Sequence, residues 1–263
     1  MPSESVLYIF FLIFGTIVGS FLNVVILRLP DKDQSIVFPA SHCPKCGANL
    51  RWFENIPLLS YLLLRGRCGH CKVAISFQYP LVEFFMGCLS AALFYSFGLS
   101  LATFGYFILG AAFLVIIFID IHHQIIPDLI TLPGIITGFL FAVVSDTVTW
   151  QSSLLGILLG GGVLYALALS YMVLRKKDGM GGGDIKLLAM IGGWLGWQSL
   201  PFVILASSLT GSIVGVTMIL LQNKDSQTRI PFGPFLSLAA FCYLFFSTQI
   251  HHYFHLYITG QWP

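Results

Sequence analysis

Phe118-Ile119-Asp120-Ile121-His122-His123-Gln124-Ile125-Ile126-Pro127-Asp128 closes one long apolar run and opens another. It sets a carboxylate, Asp120, in the last turn of a hydrophobic segment, near where a helix would leave a bilayer. Such a group costs roughly 2.5–3.5 kcal/mol at a helix centre, less near the interface, and persists mainly for function. Asp128 follows Pro127 and precedes the next run, where it can cap a helix and complement its dipole. His122 and His123 read as interfacial polar residues, since no Ser or Cys nucleophile flanks them. A second isolated acid, Asp184, stands 64 positions beyond Asp120, at the end of Gly179-Met180-Gly181-Gly182-Gly183-Asp184.

Outward from these acids the chain is apolar: of 263 residues, 57% are hydrophobic and 9% charged. Soluble domains carry about 25% charged residues, so the fold class is an all-α polytopic membrane protein rather than a soluble one. Eight spans are expected, at 5–27, 79–98, 101–120, 129–146, 152–174, 185–199, 201–222 and 231–248. Lys and Arg fall in three clusters, Arg28 to Lys72, Arg175 to Lys186 and Lys224 to Arg229. With eight crossings all 13 basic residues lie on one side, which the positive-inside rule makes cytoplasmic, and both termini lie outside. The only early charge is Glu4 and the basic residues follow the first run, so a cleaved signal peptide is not expected. The His251, His252 and His255 tail reads as an interfacial segment on the outer side. The formal charge of +2 says little by itself about partners, and no nucleic acid is expected among them.

Residues 28–78 form the one sizeable polar insert, too small for a strong core without a staple. Cys43-Pro44-Lys45-Cys46-Gly47 and Cys68-Gly69-His70-Cys71 are two CxxC knuckles with 21 residues between their inner cysteines. Each grips an ion from a tight turn, and together Cys43, Cys46, Cys68 and Cys71 complete a four-thiolate shell for structural zinc. Gly47 and Gly69 suit positive-φ turn positions. A reducing cytoplasm argues against disulfides. Cys88 and Cys242 lie within spans and read as small packing residues. Leu58 to Leu64 is too short to span and packs on the zinc unit or lies at the membrane surface. Glu54 and Asn55, beside Trp52 and Phe53, could hold a polar cofactor; a turn held by Asn55 before Ile56-Pro57 is the plainer reading.

Two acids on one side of a membrane suggest a pair sharing one proton, because like charges a few ångströms apart cannot both ionise. One carboxylate then activates water while the other polarises a scissile carbonyl. Gly181, Gly182 and Gly183 would form a mobile loop allowing close approach by an extended peptide. A helix N-cap role is the alternative for Asp184. Phosphate binding is disfavoured, since no Gly-Lys-Ser/Thr follows. Small-residue faces at Gly156-xxx-Gly160, Gly192/Gly193 and Gly211-xxx-Gly215 suit close helix packing. A proton-coupled transporter with an aspartate relay, or a zinc-bearing assembly factor without enzymatic activity, are the competing classes.

Several motifs in this order resemble the bacterial prepilin leader peptidases: Gly19-Ser20-Phe21-Leu22-Asn23 to Arg28-Leu29-Pro30, the two knuckles, Trp52-Phe53-Glu54-Asn55-Ile56-Pro57 and Tyr79-Pro80-Leu81-Val82-Glu83. Ile119-Asp120 with Pro127-Asp128, Gly181-Gly182-Gly183-Asp184-Ile185-Lys186 and Ile230-Pro231-Phe232-Gly233-Pro234 complete the set. The resemblance implies a GxGD-type membrane aspartic endopeptidase with Asp120 and Asp184 as catalytic pair. It implies prepilins and pseudopilins of type IV pilus and type II secretion systems as substrates, cut after a glycine before an apolar helix. It further implies N-methylation of the new amine by S-adenosylmethionine, with Glu54, Asn55, Asn23 and Glu83 as candidates for the methyl-donor pocket. A cleavage-only member is the alternative. The expected division is a first membrane helix at 1–27, the methyltransferase-associated zinc insert at 28–78 and the peptidase domain at 79–263. The location is the bacterial cytoplasmic (inner) membrane, with insert and aspartates on the cytoplasmic side. Substrate identity and oligomeric state are not set by these motifs.

Overall fold

The computed structural model describes residues 4–31, 34–175, 181–222 and 230–259. Within them the chain is helical: α1 (Glu4–Arg28), α2 (Leu59–Leu63), α3 (Gln78–Phe97), α4 (Leu101–His123), α5 (Asp128–Val144), α6 (Trp150–Arg175), α7 (Gly182–Leu195), α8 (Leu200–Gln222) and α9 (Gly233–Thr259). Among the described residues, six helical segments are long and apolar enough to cross a membrane: α1, α3, α4, α6, α9 and the Trp197–Leu221 stretch that holds most of α8. A crossing needs about 20 residues. α5, at 17 residues, and α7, at 14, are shorter, so the count of eight spans is not confirmed. Every expected apolar segment is nonetheless a helix. The basic cluster at 224–229 and residues 176–180 lie outside the described residues.

The chain divides into two units, Met1–Ile119 and Asp120–Pro263, and the division falls inside α4 immediately before Asp120. In the first unit α1 and α3 meet through backbone-close glycines. A Cβ on Gly15 would come to 2.5 Å from the Met86 carbonyl oxygen, and one on Gly87 to 2.7 Å from the Thr16 methyl. This is the small-residue packing that membrane helices use in place of a hydrophobic drive. Phe11 stacks on Phe94 at 4.6 Å between centroids.

In the second unit α7 is buried on every face from Leu187 to Leu195. A helix apolar all round and buried all round is enclosed by its neighbours, which explains how so short a segment is held. Gly156 on α6 lies against the Gly192 backbone of α7, and Gly160 against the Leu188 carbonyl. On α5, Gly134 and Gly138 make room for Met190 and Trp194, and the indole N–H of Trp194 donates to the Gly134 carbonyl at 2.8 Å. Ser153 donates to the Gly193 carbonyl at 2.6 Å. The Gly211 and Gly215 face of α8 meets Phe232, Phe235 and Ile230.

Two expectations change here. Cys88 and Cys242 are exposed on their helices rather than packed inside, so their thiols sit among side chains a bilayer would cover. The histidine tail is helical: it follows a kink at Phe246 (φ −119°, ψ 19°), and the helix runs on to Thr259. Tyr243 and His251 share a 2.8 Å hydrogen bond across that break. The glycine loop ends early, because Gly182 and Gly183 already form the first turn of α7.

Candidate functional site

Asp120 is 5% exposed, and its Oδ2 accepts the Gly233 backbone N–H at 2.9 Å. Gly233 opens α9, so the carboxylate sits on that helix's N-terminus, where orphan N–H groups favour an anion. The approach requires glycine: a Cβ there would lie 2.8 Å from Asp120 Oδ2 and 3.1 Å from Ile126 Cδ1. Ile126 also covers Gly183, whose Cβ would lie 2.8 Å from the Ile126 Cβ. One isoleucine therefore bridges the glycine beside Asp120 and the glycine beside Asp184. Asp184, half-buried in the first turn of α7, lies within electrostatic reach of Asp120. Two carboxylates so placed, one buried and one half-open, oppose each other's ionisation.

The capping alternatives do not match this geometry. Gly181 is the N-cap of α7, and Asp184 stands inside its first turn. Pro127 caps α5, and Asp128 instead pairs with Lys186, both carboxylate oxygens 2.7 Å from Nζ. That ion pair joins α5 to α7 beside the acids. Gly181 lies against the Asp184 carboxylate, while Gly179 and Met180 fall outside the described residues. His122 and His123 are exposed at the end of α4.

In the insert the two knuckles are copies of one turn. The Gly47 N–H donates to the Cys43 carbonyl and the Cys43 N–H to the Ala48 carbonyl; the Lys72 N–H donates to Cys68 and the Cys68 N–H to Val73 in the same way. Single β-bridges, His42 with Asn49 and Arg67 with Ala74, frame each knuckle. The repeat puts Gly47 (φ 68°) and Lys72 (φ 59°) at the same positive-φ position. The expectation for Gly69 is thus corrected: it lacks a positive φ, and its missing side chain instead makes room for Glu54 Oε1. The four sulfurs lie within 4.8 Å of one another, and Cys43 and Cys71 are 3.8 Å apart. The edge of a tetrahedron with Zn–S bonds of about 2.3 Å is about 3.8 Å, so the donor set fits a metal ion. The amides of Cys46 and Lys45 draw the Cys43 thiol down to about 6, toward the thiolate a metal requires. Against the pull of the Ala48 amide, desolvation and the Cys43 and Cys71 sulfurs push Cys46 up to about 11. A bound cation reverses that repulsion.

The four methyl-donor candidates occupy different settings. Glu54 accepts the Arg51 N–H at 2.9 Å and braces the second knuckle. Asn23, 1% exposed, donates to the Tyr79 carbonyl at 3.0 Å and ties α1 to the start of α3. Glu83, 7% exposed, accepts the Leu58 N–H at 2.7 Å. Asn55 alone of the four lines a cavity of about 710 Å³ between α1 and the Asn55–Leu59 segment. Ser20 and Ser41, also on that wall, drew no attention in the sequence because small hydroxyls carry no charge signal. Gly233 was overlooked as well; a glycine between Pro231 and Pro234 looks like a turn residue until its neighbour is known. Around α2, Leu62, Leu63 and Trp52 are 70–80% exposed, which suits the membrane-surface reading of this stretch.

Comparison with known proteins gives a consistent set. Residues 13–97 match the family described as Bacterial Peptidase A24 N-terminal domain, and residues 107–216 match the Type IV leader peptidase family. A prepilin leader peptidase/N-methyltransferase of Pseudomonas aeruginosa is 39% identical over 261 residues, covering 91% of this chain and 90% of the relative. Proteins of the same name from Stutzerimonas stutzeri and Aeromonas salmonicida are each 38% identical, over 91% and 92% of this chain and 90% and 91% of their own length. No solved structure matches.

Proposed function

The chain belongs to the type IV leader peptidase family, and from that premise we propose that Asp120 and Asp184 are its catalytic pair. It is a membrane-embedded peptidase and N-methyltransferase that removes the leader of type IV prepilins and methylates the amine so exposed. The observation that carries the assignment is the seat of Asp120 on Gly233, within electrostatic reach of Asp184. With one proton between them, one carboxylate takes a proton from water while the other donates to the carbonyl oxygen of the scissile peptide. Water oxygen bonds to the carbonyl carbon, the C–N bond breaks, and the leaving nitrogen takes up a proton. Gly181 and Gly182 leave room for the substrate backbone beside Asp184.

The substrates are prepilins and pseudopilins, cut after a glycine that precedes an apolar helix. The protein lies in the bacterial cytoplasmic membrane with the acids and the insert on the cytoplasmic side. Peptide cleavage belongs to the second unit. Methyl transfer belongs to the first, together with the 28–78 insert. Zinc on Cys43, Cys46, Cys68 and Cys71 staples that insert. S-adenosylmethionine would supply the electrophilic methyl group when bound.

Asp120→Asn and Asp184→Asn keep shape and remove the titrating group. Each is expected to lower prepilin cleavage at least about a thousandfold, followed by gel shift of the unprocessed form. Normal processing by either variant removes the protease assignment. Mass spectrometry of the mature N-terminus checks methylation independently.

A further inference from the structure

The match to residues 13–97 contains neither Asp120 nor Asp184, while the relatives' names join a peptidase to an N-methyltransferase. The second activity needs a place of its own, and the cavity against α1 is available in that segment. Its floor runs from Leu12 to Val24, about 18 Å of helix, through residues that lie within a candidate span. Its roof is Ile56 to Leu59, and Thr16, Ser20, Ser41 and Asn55 are the polar residues along its wall. No residue lining it is charged. A charged methyl donor finds no counter-ion along that wall, whereas an apolar segment ending in an amine needs none.

The roof is held in an unusual shape. Leu58 has φ 61° and ψ −48°, and the Leu59 N–H closes onto the Pro57 carbonyl at 2.6 Å. This is the rare γ-turn with positive φ, and such backbone strain, about 1–3 kcal/mol, survives only where surroundings over-determine it. The constraint comes from α3: buried Glu83 accepts the Leu58 N–H at 2.7 Å and bonds the Ser20 hydroxyl. Both partners lie on the cavity wall.

We propose that Glu83 is a positioning residue for methyl transfer, fixing through Leu58 and Ser20 the wall of a cavity that seats the apolar N-terminal stem of the methyl acceptor. This rests on the methyltransferase reading above. In the reaction the acceptor amine attacks the methyl carbon of the S-adenosylmethionine sulfonium. The C–S pair stays on sulfur as a thioether, and the new ammonium loses its proton to water. Glu83 touches none of these atoms; it sets how well the acceptor binds.

The test uses the full chain in lipid nanodiscs, with a pre-cleaved acceptor peptide for methylation and intact prepilin for cleavage. Glu83→Ala is expected to raise the acceptor KM about tenfold or more with kcat within about threefold, and to leave cleavage unchanged. Glu83→Gln, whose carboxamide oxygen still accepts the Leu58 N–H, restores KM to within about threefold of the parent. An unchanged KM in Glu83→Ala, an effect confined to kcat, or no rescue by Glu83→Gln overturns the proposal. Should Glu83→Ala also lose cleavage through misfolding, Ile17→Trp decides by filling the cavity from α1. A raised acceptor KM with cleavage intact supports the assignment, and parent-like methylation overturns it. A parent chain that cleaves but never methylates overturns the methyltransferase reading instead, and so is told apart from failure at Glu83.

Discussion

Asp120 depends on a residue that carries no chemistry. Gly233 lets the start of α9 close onto the carboxylate, and any side chain there meets Asp120 Oδ2 at 2.8 Å. Gly233→Ala should therefore keep the fold yet shift the acid by a few tenths of an ångström. Because misplacement of about 1 Å can cost a hundredfold in rate, cleavage is expected to fall about ten- to a hundredfold with melting temperature nearly unchanged. A parent-like rate would mean the contact is incidental. Both acids were legible in the sequence because charges are scarce in so apolar a chain. Gly233 was not, since its importance lies in a contact spanning more than a hundred residues, and no local pattern encodes that. Asp128 was read as a cap on local grounds, yet Lys186 holds it instead. The partner sits on another helix, 58 positions away.

At the level of elements, two assemblies were legible to different depths. The CxxC spacing identified the four cysteines, and the repeated turn explains why the knuckles converge. The sequence suggested Gly69 as the special backbone position, but the matching hydrogen bonds of the two knuckles put Lys72 there. Replacing Cys43 and Cys68 together by Ser should remove about one metal ion per chain, read by elemental analysis. Glu54 loses its brace against the second knuckle in that variant, so methylation should fall further than cleavage. Metal retained at full occupancy would exclude the four-thiol site. The glycine face of α6 was anticipated, though not its partner. Gly156→Leu drives a side chain into the Gly192 backbone, and overpacking of this kind costs about 1–3 kcal/mol. A lower melting temperature and reduced cleavage should appear together, because α7 carries Asp184. Leu at Gly162, which has nothing within 4 Å of a Cβ position, is the matched control.

For the molecule as a whole, composition and charge spacing revealed the membrane class and the position of each helix. They left the count open, because hydropathy registers an apolar helix without distinguishing one that crosses lipid from one enclosed by other helices. α7, at 14 residues and buried on every face, is such a helix. Sidedness rests on a different physical signal, the bias of Lys and Arg, which acts during insertion and leaves no trace in helix packing. It is best read chemically. Asp146 lies exposed between α5 and α6 in a loop without basic residues, and Gln34 lies exposed in the basic insert. Asp146→Cys should react with a membrane-impermeant maleimide in intact cells once the outer envelope is opened, whereas Gln34→Cys should react only after the inner membrane is lysed. Both changes fall away from the paired acids and the four thiols, so cleavage serves as the check that each variant is folded. Labelling in the opposite order would put the basic clusters outside, and Asp120 and Asp184 could no longer meet a leader held in the cytoplasm.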